Sequence, residues 1–264
     1  MSGSPLHAAR PAAAPDPART RRWLLATLLL LLAWEAGGLD RSVSQQFGNA
    51  QGFAWRDNWW LASVLHEGGR WLGLGLLTWL GWAAWRAGAR PGPGPSRRER
   101  LYWLGVMLAS ALLVPALKRG STTSCPWDLA EFGGHAAYVS HWLWRVADGG
   151  PGHCFPSGHA VSAFALLGWA FQWRAHRPRR ARALLAGVAA AGVVFGATQT
   201  VRGAHFVSHT LWSAWLCAAI AVAAEAWLRR RPQAAAAATG MDGAGSTVPL
   251  QLPKPSRAAP GRLQ

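Results

Sequence analysis

Residues 155–173 read FPSGHAVSAFALLGWAFQW. No Lys, Arg, Asp or Glu interrupts the run, and its one histidine, His159, follows directly on a Pro-Ser-Gly triplet near one end. About 20 such residues carry a helix across a hydrocarbon core. An ionisable side chain at the edge of such a run is costly to keep there, so it is a functional candidate by default. Further apolar runs lie on both sides: Trp23 to Leu39 with one acid, Glu35; Trp71 to Trp85, beginning near Trp59; Leu101 to Leu117; Ala183 to Val201; and Thr210 to Leu228, with Glu225 near its end. A hydrophobic fraction of 51% against 14% charged residues fits a membrane protein. So do the 18 tryptophans, whose rings collect at membrane interfaces. The expected fold is all-α, a polytopic six-helix transmembrane bundle over residues 23–228. A disordered cytoplasmic N-terminus (1–22) precedes it, and a disordered basic cytoplasmic tail (229–264) follows.

The net charge of +16 would suit nucleic acid if it formed one basic face. Instead it falls in short segments between apolar runs. Arg19, Arg21 and Arg22 precede the first run, and Arg86 to Arg100 follow the second. Arg174 to Arg182 follow the fourth, and Arg229, Arg230 and Arg231 follow the sixth. By the positive-inside rule these segments and both termini are cytoplasmic. The expected location is therefore the cytoplasmic membrane, multi-pass, with the bilayer as partner and no nucleic acid. An Arg-rich flank before an apolar core also fits a signal peptide at residues 19–39, but Glu35-Ala36-Gly37 matches a cleavage site poorly. An uncleaved first helix is the better reading.

The opposite, outward side receives Arg41, Arg56, Arg70, Lys118, Arg119, Arg145 and Arg202. Its longest connection, Lys118 to Cys154, is long for a compact domain, which points to function. Cys125 and Cys154 share that side, where a disulfide and two free thiols are both open. Cys217 lies within an apolar run and reads as a packing residue. Two histidine-bearing segments also face outward: Pro156-Ser157-Gly158-His159 and Gly203-Ala204-His205-Phe206-Val207-Ser208-His209. Pro156 suits the first turn of a helix. The N–H groups of Ser157, Gly158 and His159 would then form an anion site at that helix start. Two histidines beside an anion cradle are the parts needed to move a phosphoryl group through a covalent intermediate.

These segments resemble the signature of the type-2 phosphatidic acid phosphatase superfamily, which also takes in glucose-6-phosphatase and the vanadium haloperoxidases. That signature runs Lys-x6-Arg-Pro, Pro-Ser-Gly-His, then Ser-Arg-x5-His-x3-Asp. Here Lys118 is followed after six residues by Cys125-Pro126, so Cys125 stands at the first Arg. The second motif is intact. In the third, Thr198 and Gln199 stand at the Ser-Arg pair, His205 at the His, and His209 at the Asp. The resemblance covers roughly residues 60–228.

The resemblance implies a membrane-bound lipid phosphatase that needs no cofactor and no metal. It acts on a lipid phosphomonoester or pyrophosphate at the outer face, through a phosphohistidine. His205 would be the nucleophile, His159 the acid and then the base, and His209 the neighbour of the nucleophile. Phosphate would be held by Lys118, Ser157 and Gly158, with Arg119 and Arg202 filling the space of the two missing arginines. Asp128 or Glu131 of the long loop would supply the carboxylate that His209 lacks. Two other readings stay open. One is a degenerate member that binds lipid phosphate without turnover. The other is a metal site on His205 and His209, completed by His135, His141, His153 or Asp128.

Overall fold

The computed structural model describes residues 16–87 and 94–243, with side chains described as far as Arg230 in the last helix. Of the disordered ends expected at 1–22 and 229–264, residues 1–15 and 244–264 lie outside the described residues, whereas 17–22 and 229–243 are helical. Helix α1 (Pro17–Ala36) opens with Asp16 accepting from the Ala18 N–H and Pro17 at the first helical position, so it begins ahead of Trp23. Gly38, in the left-handed region, turns the chain into the short α2 (Leu39–Ser44). A two-residue hairpin follows, β1 (Gly48–Asn49) against β2 (Gly52–Phe53). A π-helix (Trp60–Gly68) then runs into α3 (Gly69–Arg86). Helix α4 (Arg97–Arg119) starts on a Ser96/Glu99 capping box. After the outer connection come α5 (Val161–Phe164), α6 (Leu167–Trp173), α7 (Pro178–Val201) and α8 (Val207–Gly243). Residues from 227 onward form a separate unit, of which the described part is the continuation of α8.

Helices occupy all six apolar stretches. Among the described residues three are long and apolar enough to cross a membrane, Arg97–Arg119, Pro178–Val201 and Val207–Arg230, with Val161–Trp173 a shorter apolar segment. The fourth stretch departs from the expected single span. Residues 155–160 run through turns, and the helix begins only at Val161. The Phe155–Pro156 peptide is cis, and the Ser157 N–H donates across to the His209 carbonyl (3.0 Å).

Met107 and Val114 of α4, Leu167 of α6, Val188 of α7 and Cys217 of α8 meet in one buried core. Small residues let these helices close up. A Cβ on Gly168 would lie 2.7 Å from Met107, and one on Gly192 2.2 Å from the Phe164 ring. The outward faces carry large apolar side chains, with Leu30 and Leu112 each 70% exposed, which suits lipid and not water. The outer connection is itself packed. Phe53, Leu129, Phe132, Ala136 and Phe206 form a second core, and the buried Asp148 carboxylate holds the Ser124 N–H and hydroxyl (2.6 and 2.8 Å). Gly203 joins this cap to the α7–α8 turn. Its φ of +75° suits glycine, and a Cβ there would lie 2.3 Å from the Phe53 ring.

Candidate active site

Lys118 ends α4 half-buried, with Nζ 3.8 Å from where a Gly158 Cβ would sit. The first and second sequence motifs therefore meet. Ser157 is buried, but its N–H is taken by His209, so the expected three-donor cradle at a helix start is not formed. The Gly158 and His159 N–H groups make no hydrogen bond among the described residues. The buried Ser157 Oγ and His159 Nε2 are likewise without a partner. The His159 ring bonds to the Leu65 carbonyl and packs against His66 (centroids 4.5 Å apart) and Phe195 (5.0 Å). Leu65 and His66 belong to the π-helix, a conformation frequent at functional sites. His66 has no sequence signal: it sits alone before an apolar run.

His205 lies in the turn between α7 and α8, 4% exposed, its N–H donating to the Gln199 carbonyl (3.3 Å). Its Nδ1 is 3.4 Å from His209 Nδ1 and 3.4 Å from Cys154 Sγ, and the ring bonds to the Cys154 carbonyl. Burial first, then the Lys118 ammonium and the other imidazoles, hold His205 well below the usual histidine range. This favours the neutral ring, and a proton on Nδ1, facing these neighbours, would leave the lone pair on Nε2. His209 sits in the first turn of α8, buried.

The two expected arginine replacements differ in setting. Arg119 is exposed beside the half-buried Lys118. Arg202 is buried, close enough for its charge to act on the His159 and His66 rings; its Nε donates to the Arg56 carbonyl (2.8 Å) and its Nη1 to Gln199 Oε1 (3.4 Å). Gln199, 2% exposed, keeps its Nε2 unpartnered among the described residues. Arg202 thus orients the Gln199 amide. Sequence reasoning passed over Gln199 as a lost arginine.

The expected carboxylates are also elsewhere. Asp128 accepts from the Cys125 N–H (3.3 Å), and Glu131 binds Arg41 in a two-pronged pair (3.0 and 2.7 Å). The acids near the third motif come from the start of the chain. Asp40, buried on α2, accepts from the Ser208 N–H (2.9 Å), from the Ser208 hydroxyl, and from Trp34 Nε1 (2.8 Å). It thereby fixes the first turn of α8. Glu35 meets His141 Nε2 at 2.9 Å.

Cys125 and Cys154 form a disulfide, with Cα atoms 5.1 Å apart. It ties the residue after Lys118-x6 to the residue two before Pro156. Most of the metal reading's partners lie elsewhere: His135 and His153 are exposed and Asp128 is engaged at Cys125, while His141 stands beside His209 but pairs with Glu35. Among the described residues, the side chains whose ligand atoms cluster within 4.8 Å are Cys154, His205 and His209, and the Cys154 sulfur is in the disulfide.

Comparison with known proteins bears on this arrangement. The family model of the PAP2 superfamily matches residues 100–233. Among solved structures, the chain is similar to the crystal structure of the first transmembrane PAP2 type phosphatidylglycerolphosphate phosphatase from Bacillus subtilis. The TM-score is 0.51 at 19% identity, covering 81% of this chain and 96% of that one, a likeness of fold. Comparison with the curated proteins finds no match.

Proposed function

This chain is a membrane protein that belongs to the PAP2 superfamily, and on that premise we propose that it hydrolyses a lipid phosphomonoester or pyrophosphate through a phosphohistidine. One observation carries the reading. Lys118 meets Gly158, His159 and His205, whose N–H is tied to Gln199, and among the described residues the Ser157 hydroxyl, Gln199 Nε2 and the Gly158 and His159 N–H groups on these same segments make no hydrogen bond. Buried donors left unpaired are costly unless a ligand satisfies them. A phosphoryl group, with its several acceptor oxygens and negative charge, is such a ligand.

In this mechanism His205 Nε2 attacks phosphorus, and the bond from phosphorus to the leaving oxygen breaks. His159, which takes up a proton on Nε2 when the substrate's negative charge binds beside it, gives that proton to the leaving oxygen and becomes neutral. His159 then takes a proton from water, whose oxygen attacks phosphorus as the N–P bond breaks. Charge stabilisation comes from Lys118, the Gln199 amide and backbone N–H groups, so no metal is required. The distribution of Arg and Lys supports an outward-facing site in a six-span bundle with both termini cytoplasmic.

The test is phosphate release from a panel of lipid phosphates and pyrophosphates by the purified protein, with and without chelator. Release that survives the chelator is expected from at least one lipid. Silence on the whole panel would defeat the hydrolase reading and leave a protein that binds lipid phosphate without turnover.

A further inference from the structure

When His205 is phosphorylated at Nε2 with its proton kept on Nδ1, the ring becomes cationic in a buried place. An unbalanced charge there is costly. His209, directly behind Nδ1, is an imidazole and brings no fixed negative charge. A line of rings nevertheless leads from it to a carboxylate. His205 Nδ1 lies 3.4 Å from His209 Nδ1. The His209 ring stands perpendicular to His141, with centroids 6.0 Å apart. His141 Nε2 lies 2.9 Å from Glu35 Oε1, and both side chains are only 10% exposed. Glu35 also accepts from Trp212 Nε1 (2.8 Å) and Trp142 Nε1 (3.0 Å), so its carboxylate is tightly held. His141 stacks on Phe155 at 3.9 Å, and Phe155 meets His209 edge-on at 5.2 Å, which fixes the middle of the line.

We infer that Glu35 and His141 are positioning residues for phosphoryl transfer: Glu35 orients His141, and the pair holds His209 as acceptor for the His205 Nδ1 proton with a negative charge behind it. The inference rests on the phosphatase reading above. With its proton on Nδ1, His205 can donate to His209 Nδ1 as well as to the Cys154 carbonyl, which leaves the proton of His209 on Nε2, and His141 Nε2 faces Glu35 Oε1 as an ion-pair partner. Every proton stays on its own ring through the cycle, so the line polarises and does not transfer. The rival role is purely mechanical, with Glu35 pinning the outer connection to α1 and α8.

A carboxylate placed directly behind His205 separates the two roles. Glu35→Gln in the wild-type background should lower kcat by about 10- to 100-fold, the range for removing an orienting partner one step from the reacting group, with KM little changed. Glu35→Asp should recover part of the loss. In a His209→Asp background the same Glu35→Gln change should cost less than about threefold, because the interaction it removes is already bypassed. Melting temperature and an intact Cys125–Cys154 bridge check folding. If Glu35→Gln does not fold, His141→Phe, which keeps the stack on Phe155, carries the same comparison. Equal losses in both backgrounds, wild-type turnover in Glu35→Gln, or an inactive His209→Asp enzyme would each overturn the inference. A wild-type protein silent on all lipids would instead defeat the phosphatase reading, a result seen before any variant is made.

Discussion

The two histidines of the site stand in opposite surroundings. His159 packs against two rings, His66 and Phe195, with one backbone carbonyl from the π-helix and an Nε2 unpartnered among the described residues. His205 is set in polar company, its Nδ1 edge against His209 and Cys154 and its backbone tied to Gln199. The contrast suits two tasks. A group that must give and then take a proton needs fixed position and a free nitrogen. A nucleophile needs one tautomer, which only hydrogen-bonding neighbours impose. The settings are not interchangeable, and substitutions at the two positions should fail differently.

The largest effect belongs to His205. His205→Asn removes the attacking nitrogen, and turnover should fall by about 10⁴-fold or more, as for other covalent nucleophiles. Rapid quenching with radiolabelled substrate should find no acid-labile phosphoenzyme. Label trapped on His209 instead would exchange the roles given to the two rings.

His159→Ala should lose about 10²- to 10⁴-fold on a lipid ester, the usual worth of general acid–base catalysis. The loss in the rate of phosphoenzyme formation should shrink with p-nitrophenyl phosphate, whose leaving group needs no proton. Phosphoenzyme should still form with that substrate and persist, because its hydrolysis also needs His159. Equal losses in the formation step on both substrates would mean that His159 only shapes the site.

These two positions are also where the sequence was most readable. Pro156 to His159 and Gly203 to His209 are local patterns, and Lys118 sits at the end of an apolar run, so position along the chain alone brings them to one side of a bundle. What supports them was hidden because it comes from far away. Asp40 holds Ser208 across 168 residues, and Glu35 meets Trp212 across 177. In the sequence Glu35 is only the one acid of the first apolar run, and nothing marks Asp40 just beyond it. The apolar run Ala183 to Val201 located α7, and three residues separate Gln199 from Arg202, but neither gives the direction of their contact. The start of the fourth span was misread because Pro156 is equally at home in a helical first turn and in the turn found here.

Gln199 sharpens the comparison on the nucleophile's side. Its amide should donate to phosphate, and a hydrogen bond to a charged group contributes about 1.5 kcal/mol, so Gln199→Ala should lower kcat/KM by about 10-fold. Arg202 holds that amide through Oε1, so Arg202→Ala should cost a similar factor and add little in the double variant. Fully additive losses would mean that Arg202 reaches phosphate by itself.

The smallest effect concerns stability and separates the two settings without any substrate. Burial and the Lys118 charge hold the folded-state pKa of His205 well below its unfolded value of about 6.5. Above that pH the ring is neutral in both states and contributes no pH dependence. As pH falls below it, the unfolded chain binds a proton that the folded protein refuses, so stability declines. Wild-type melting temperature in detergent should therefore fall between pH 7 and pH 5. His205→Asn, which cannot titrate, should fall less steeply over the same window. The other buried imidazoles are present in both proteins, so the difference between the curves isolates His205. Parallel curves would show that His205 takes up its proton as readily folded as unfolded, and that the site does not hold its nucleophile neutral.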